Sequence, residues 1–516
     1  MLFNSFTFLL IFLPVSLIVY FSLSKWRLAA IVWLVACSLF FYGFWNIQYL
    51  PLLLISVCFN YLIGLTLQRN YAKSFYQDLV AYMGVSANLL ALIYYKYLYY
   101  AITTLNAHHF PWHIHEHSIA LPLGLSFFTF TQIGYLLDCR SGIAKGKNIF
   151  EYALFVTFFP HLISGPILHH REMLPQFEDP QNFKYKTENL AVGTTMFTFG
   201  LAKKLIIADP ISPYVNNLLH HSGECSTLQS WLLAIAYALQ LYFDFSGYSD
   251  MAIGLARMFG FKFPANFNSP FRARSIIDFW QRWHMTLTRY LTLYLFNPMA
   301  LSITRYRATH NLAVGKASTA TAGGFMQMLV FPTLVTMTLA GIWHGAGLQF
   351  LFYGLMHAFY LITNHIWRVF GPKPQVIAEM PKPLNVLYHF ASWVVTIICV
   401  IVAFIMFRAE NYHQAISIYK SMFEGISGPG IAPSIDKNEL TFIYITMAVA
   451  TVIVLTLSNT QQLLWRFTPV IGKTHPNAWQ KLSWGPTVGW AASISALLVL
   501  AILHVDGVTE FLYFKF

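Results

Sequence analysis

Two histidines stand where a hydrocarbon-rich sequence has least reason to place a titratable group. His344 lies in GIWHGAG (341–347), between glycines and between long apolar runs. His284 lies in DFWQRWHMTL (278–287), among tryptophans. An imidazole titrates near neutrality, so it can take a proton from a hydroxyl and hand it on to a leaving group. Gly341, Gly345 and Gly347 permit a broken helix or a close approach to a ligand. Irregular backbone at membrane depth is tolerated only where protein buries it or where it lines a cavity. An ionisable side chain in such a place is a functional candidate. The plainer reading of His344 is a histidine bonded to a carbonyl between packed helices, and of His284 a member of an interfacial tryptophan belt.

Other residues compete for attention. LYFDFSGYSDMAIG (241–254) puts Asp244 and Asp250 in membrane-length apolar sequence. They either pair with a cation such as Arg257 or position a substrate or catalytic group. NAHHFPWHIHEHS (106–118) holds His108, His109, His113, His115 and His117 around Pro111, without a cysteine. It reads as a solvated loop, and no metal site is expected. The tail EFLYFKF (510–516) is aromatic where a terminus is usually polar. It is either an interfacial anchor or a segment that folds back and presents the Tyr513 hydroxyl. Cys37, Cys58, Cys139, Cys225 and Cys399 show no metal or disulfide spacing. No phosphate-loop, dinucleotide or Gly-x-Ser-x-Gly pattern occurs.

The elements that must position these groups follow from composition. The chain has 516 residues, 57% hydrophobic and 10% charged, so it cannot cover its apolar surface with charge. It reads as a single all-α integral membrane domain over 1–516, with about 11 to 13 membrane helices, some broken or re-entrant. The first apolar segment, 7–23, is expected to persist as a helix and not to be a cleaved signal. Lys25, Arg27, Arg69, Lys73, Arg140, Lys145 and Lys147 occupy one set of loops, while the alternate loops near 45–49 and 103–118 carry no Lys or Arg. That bias places the N-terminus outside the cytoplasm, and Lys473 and Lys481 favour the same side for the C-terminus. The net charge of +12 is scattered along membrane edges, which suits anionic lipid and gives no reason to expect nucleic acid. Residues 262–300 hold five cations, Lys262, Arg272, Arg274, Arg282 and Arg289, and predict an amphipathic helix at the cytoplasmic interface. Ser275 with Asp278 caps it. Trp280, Trp283, His284 and Leu287 form its inner face, and Asp278 pairs with Arg282.

Six stretches together resemble the membrane-bound O-acyltransferases, most closely their bacterial alginate O-acetylase branch: LPLGLSFFTFTQIGYLLD (121–138), FFPHLISGPI (158–167), GLAKKLIIAD (200–209), YFDFSGYSDMAIG (242–254), FNSPFRARSIIDFWQRWHMTL (267–287) and GIWHGAG. The resemblance runs in order along the whole chain. It implies a ring of membrane helices around a tunnel, with the family's near-invariant histidine at His344 and its second at His284. It also implies an acyl thioester donor, usually acetyl-CoA, on the cytoplasmic side, with no permanently bound cofactor and no metal. FLYFKF is similar to the family's terminal Phe-x-Tyr-Phe-Arg/Lys-Phe motif, which makes Tyr513 a candidate acyl relay. On this reading His344 is the base and His284 orients or polarises, for instance by donating to the thioester oxygen. Trp343, Trp283, Asp244 and Gln281 support or position the substrate. An extracytoplasmic acetyltransferase would carry the acyl group to a polysaccharide, at a bacterial inner membrane. Two departures, His161 and the stretch after Leu287, leave the acceptor open among alginate, peptidoglycan, cellulose and others. The rival reading is a transporter or channel with a His344/Asp244 pathway, but no internal repeat supports it.

Overall fold

The computed structural model describes residues 1–69, 75–107, 120–144, 148–424, 435–472, 482–505 and 511–512. Among them the chain is helical, with no strand and one isolated bridge between Pro264 and Ile471. Among the described residues six helices are long and apolar enough to cross a membrane: Ile47–Arg69, Phe75–Ala107, Thr187–His220, Ala322–His344, Lys382–Arg408 and Lys437–Thr456. Three shorter apolar helices, Thr7–Ser22, Arg27–Gly43 and Val488–Leu503, join them. Several apolar stretches break into short pieces, such as Ile276–Trp280 and Met285–Leu291, and Thr227–Met258 carries Asp244, Asp250 and Arg257.

The chain folds as two compact units. The first comprises Met1–Ile206, Asp244–Ala265 and Thr460–Phe516; the second comprises Ile207–Phe243 and Asn266–Asn459.

In the first unit, Leu13–Ser22 and Arg27–Gly43 define two ends. At one end Tyr20 donates its hydroxyl proton to the Phe259 carbonyl at 3.0 Å, and Arg27 donates to Glu151 at 2.7 Å and to the Phe177 carbonyl at 2.9 Å. Arg140, paired with Asp78 at 2.7 Å, closes the helix Leu125–Arg140 whose Asp138 meets His169 and His170 at 3.1 Å. At the other end Phe3 packs on Phe41 and on Tyr248, at 5.5 and 5.0 Å between ring centres. Between the ends, Thr187–Ala202 lies against the second half of Thr227–Met258 through two glycine pairs. A Cβ on Gly193 would sit 2.6 Å from the Gly254 carbonyl oxygen, and one on Gly200 2.5 Å from that of Gly247. Lipid offers no hydrophobic drive between helices, so close backbone approach carries much of their association.

In the second unit, Phe331–His344 and Leu348–Phe370 pack as a hairpin. A side chain on Gly341 would collide with the Phe350 carbonyl and with Gly354. Lys382–Arg408 lies along the second helix of the pair.

Gly200→Leu should force the paired helices apart and cost about 1–3 kcal/mol or more. A lowered thermal midpoint and loss of the monodisperse peak in detergent would report it. Gly489→Ala, where an added Cβ meets nothing within 4 Å, should leave both unchanged.

Candidate functional site

His344 is the last residue of its helix, and the glycines around it have separate jobs. Gly345 turns the chain into extended backbone and leaves room for the Phe350 ring, which any Cβ there would strike. Gly347 holds φ at 148°, which only glycine adopts without strain. The chain thereby reverses within three residues and returns as Leu348–Phe370. The His344 ring is buried against Trp343 at 4.9 Å, the edge of Phe407 at 5.0 Å and Tyr353 at 5.9 Å.

His284 is held differently. The single helix predicted through Ser275, Trp280 and His284 is broken into Ile276–Trp280 and Met285–Leu291. The predicted cap and ion pair are present: Asp278 N–H donates to Ser275 Oγ at 3.1 Å, and Arg282 meets Asp278 at 2.6 Å. His284 itself sits at the break with φ 44° and ψ 51°. A left-handed histidine is strained and persists only where its surroundings over-determine it. Here the preceding loop straps it down. Asn268 N–H donates to the Arg282 carbonyl, and Met285 N–H to the Asn266 carbonyl, both at 2.9 Å.

The Asn266 side chain then sets the histidine's proton. Its Oδ1 accepts from Thr286 Oγ1 at 2.9 Å and from Thr286 N–H at 3.4 Å, which fixes which amide atom faces the turn. The same oxygen lies 3.0 Å from His284 Nδ1, so that nitrogen carries the proton. Complete burial holds the ring below the ordinary imidazole range, in its neutral form. His284 Nε2 is therefore the lone-pair nitrogen. In this tautomer Nε2 can accept a hydrogen bond.

One aromatic wall in the second unit runs from Trp283, the chain neighbour of His284, to His344. Trp283 stacks on Phe279 at 5.7 Å and packs on Phe404 at 5.0 Å. Phe279 is parallel to His357 at 6.4 Å, His357 meets Tyr353 at 4.7 Å, and Tyr353 reaches both His344 and Phe407. Sequence reasoning missed His357, which follows Tyr353 by four residues and so shares its helical face. Trp280 Nε1 donates to His357 Nδ1 at 3.3 Å, which leaves the proton on Nε2. That buried atom has no hydrogen-bond partner among the described residues. Gln281 caps the short helix through its backbone and its side chain is exposed.

Asp244 belongs to the first unit, and its cation is not Arg257. Lys204 Nζ meets Asp244 at 2.6 Å, both side chains being 2% exposed, and Lys203 meets Asp250 at 2.6 Å. Arg257 pairs with Glu188 at 3.1 Å instead. The adjacent lysines of GLAKKLIIAD, set in apolar sequence, were the available signal. Asp244 also accepts from Leu512 N–H at 3.0 Å. Phe511 is fully buried under the Lys204 ammonium at 4.6 Å and edge-on to Tyr248 at 4.7 Å. Tyr513 and the His-rich segment 108–118 lie outside the described residues.

This helical architecture, with buried histidines at breaks in apolar segments, is that of an integral membrane protein. Residues 18–311 match MBOAT, the membrane-bound O-acyltransferase family, and the chain belongs to that family. It sits in the bacterial polysaccharide O-acetyltransferase branch. It is 36% identical to a peptidoglycan O-acetyltransferase of Helicobacter pylori, covering 83% of this chain and 80% of that one. It is 34% identical to a probable alginate O-acetylase of Azotobacter vinelandii, over 90% and 85% of the two chains. A teichoic acid D-alanyltransferase of Bacillus subtilis is 27% identical over 58% of this chain and 72% of its own. The protein is thus a multi-pass membrane acyltransferase.

Asn266→Ala removes the acceptor of a buried N–H and should cost about 1–3 kcal/mol of stability. Thermal unfolding in detergent of Asn266→Ala, His284→Ala and the double variant should show a coupling of about 0.5–3 kcal/mol. Strictly additive losses would mean that the two side chains do not act together.

Proposed function

We propose that the protein moves an acetyl group from a cytoplasmic thioester, acetyl-CoA, to an acceptor on the opposite side of the bacterial inner membrane, for O-acetylation of an extracytoplasmic polysaccharide. The observation that carries this reading is the pair of buried histidines, His344 packed in an aromatic wall that begins at Trp283, and His284, the next residue, with its Nδ1 facing Asn266. The relatives named for peptidoglycan and alginate acetylation support acetyl as the group, while the D-alanyl relative shows that the family accommodates other acyl groups.

The chemistry balances simply. A hydroxyl oxygen attacks the thioester carbonyl, the C–S bond breaks, and an ester and a free thiol result. His344 takes the hydroxyl proton and returns it to the departing thiolate. His284, an acceptor at Nε2, orients the hydroxyl. The surrounding aromatic residues keep water from competing for the acyl group. No bound cofactor or metal is required for these steps.

The acceptor we assign is Tyr513. A phenol titrates near 10 and needs a base beside it, and its aryl ester is activated for onward transfer. Seating of Phe511 and Leu512 at the Lys204–Asp244 pair supports a tail that enters the protein instead of trailing from it. That seat lies at the Phe3–Phe41–Tyr248 end of the first unit. The basic turn Lys25–Arg27 lies at the other end, which the charge bias assigns to the cytoplasm. An extracytoplasmic acetyltransferase would then collect the group from the tail.

His344→Ala should abolish thiol release from acetyl-CoA by purified protein, with membrane expression at the wild-type level. Retained turnover would remove His344 from the chemistry. Tyr513→Phe deletes only an oxygen. It should abolish labelling of the tail by radiolabelled acetyl-CoA and strip O-acetyl esters from the cell-envelope polymer, as deletion of the whole chain would. Normal polymer acetylation in that variant would exclude the relay.

A further inference from the structure

Three side chains able to ligate a metal stand together in the first unit, away from the tail seat. Asp138 lies near the end of Leu125–Arg140, and His169 and His170 open the helix His170–Glu178. His169 Nε2 and His170 Nδ1 each lie 3.1 Å from one oxygen, Asp138 Oδ2. Asp138 and His170 are buried, and His169 is partly open to solvent. The two imidazoles stand 4.8 Å apart between ring centres. Tyr135, one turn before Asp138, meets His170 edge-on at 6.1 Å.

Such a cluster is either a hydrogen-bonded triad or the ligand set of a cation, and the distances bear on which. An N–H that donates to an ionised carboxylate is drawn to about 2.7–2.9 Å. Asp78, Asp244, Asp250 and Asp278 hold their donors at 2.6 or 2.7 Å. Around a tetrahedral zinc ion, with bonds of about 2.0–2.2 Å to nitrogen and oxygen, neighbouring ligand atoms lie roughly 3.3 Å apart. Two imidazoles on that ion have ring centres roughly 5 Å apart. The paired 3.1 Å separations and the 4.8 Å ring spacing fit the coordination shell better than the triad. Two nitrogens and one carboxylate oxygen suit zinc and its neighbours, whereas magnesium and calcium take shells of oxygen.

The surroundings are compatible with an ion. His170 Nε2 is buried and has no hydrogen-bond partner among the described residues. His169 is also the N-cap of its helix: its side chain accepts the Glu172 N–H, and its own N–H donates to Glu172 Oε2 at 3.4 Å. With that cap made, the ring proton of His169 faces Asp138. An ion arriving there shifts the proton of each neutral ring to its other nitrogen, so none is lost overall, and the His169 cap is released. Coordination bonds outweigh one such cap many times over.

We propose that Asp138, His169 and His170 bind one divalent ion of the zinc class, with the fourth position left to water on the His169 side. The ion staples the end of Leu125–Arg140 to the start of His170–Glu178. That second helix organises the basic end of the unit: Gln176 donates to the Lys262 carbonyl and accepts the Lys262 N–H, and the Phe177 carbonyl accepts from Arg27. The site is structural. It takes no step in acyl transfer, and it stands or falls independently of that reading.

The histidine-rich segment 106–118 would collect metal of its own, so the test removes it. Full-length protein is purified in detergent without a histidine tag, with His108, His109, His113, His115 and His117 replaced by Gln. Metal analysis after gel filtration from a zinc-containing buffer should find one ion per chain. Co²⁺ in place of zinc should give the intense visible bands of a tetrahedral site. Asp138→Asn and His170→Ala, each made in this parent, should bind zinc about tenfold or more weakly. Added zinc should raise the thermal midpoint of the parent and leave both variants unmoved. Absence of retained zinc together with an unmoved midpoint in the parent would overturn the proposal and leave a hydrogen-bonded triad. Equal zinc content in parent and variants would overturn it too, as the mark of an adventitious ion only. Should His170→Ala fail to fold, Asp138→Asn keeps the shape and an acceptor oxygen for both rings, and must still lose the ion.

Discussion

A lysine and an aspartate, each 2% exposed, face one another at 2.6 Å inside the first unit. Neither could be left alone there, because an unpaired buried charge costs several kcal/mol and the paired one still needs its remaining valences filled. Asp244 spends a second oxygen on the Leu512 N–H, and the Lys204 ammonium lies over the Phe511 ring. One step along, Lys203 and Thr460 both satisfy Asp250, at 2.6 Å each. The glycine pairs Gly193–Gly254 and Gly200–Gly247 bring the two helices near enough for these contacts, and a π-helical turn, Lys203–Ala208, begins at the lysines. Backbone proximity, charge pairing and tail seating are therefore one arrangement. Loosening the glycine contacts would separate the charges that hold the tail.

The second unit solves a related problem with hydrogen bonds. Its histidines must be neutral to serve as bases, and a neutral imidazole has one donor and one acceptor to place. For His284 the donor is consumed by Asn266, at the expense of a left-handed backbone that two strap hydrogen bonds hold. The strain has a structural return: the break at 281–284 turns the ring off the helical path and into the loop that carries Asn266. His357 is the complement, with its acceptor occupied by Trp280 and its donor buried without a partner among the described residues. An acceptor and a donor of this kind, one next to Trp283 in the chain and one on the wall that reaches His344, form a polar set matched to a reaction that moves a proton beside a developing oxyanion.

Much of this was legible in the sequence, and the reason is local. Glycines around His344, the Ser275 cap and the Asp278–Arg282 pair are spelled by neighbours within a few residues, so spacing alone finds them. The helix break at His284 was not legible, because periodicity counted Trp280, Trp283 and His284 as one face and had no term for the strap from Asn266, 18 residues earlier. Lys204 was missed for the same reason: it lies 40 residues from Asp244, while Arg257 is nearer in sequence and carries the same charge. The recess of the first unit lined by Arg171, Lys186, Arg257, Lys262 and Thr468 draws on separate segments of the chain and has no motif at all. What escaped is long-range pairing, which a single sequence does not encode in any visible period.

The first unit places chemically opposite features at its two ends. Lys186 and Glu188 at the start of Thr187–Ala202 line the cationic recess, and Lys204 just past the helix's end holds the aromatic tail. Those 16 residues rise about 24 Å, close to a hydrocarbon core of about 30 Å. A polyanionic donor of the kind proposed would be excluded from that core by its charge, and a polysaccharide by its size and hydration. An acetyl group is neutral and small, so on the proposed reaction it is the part that could be handed through the interior. The asymmetry of the two ends, charge at one and aromatic surface at the other, is what the vectorial transfer proposed above would need.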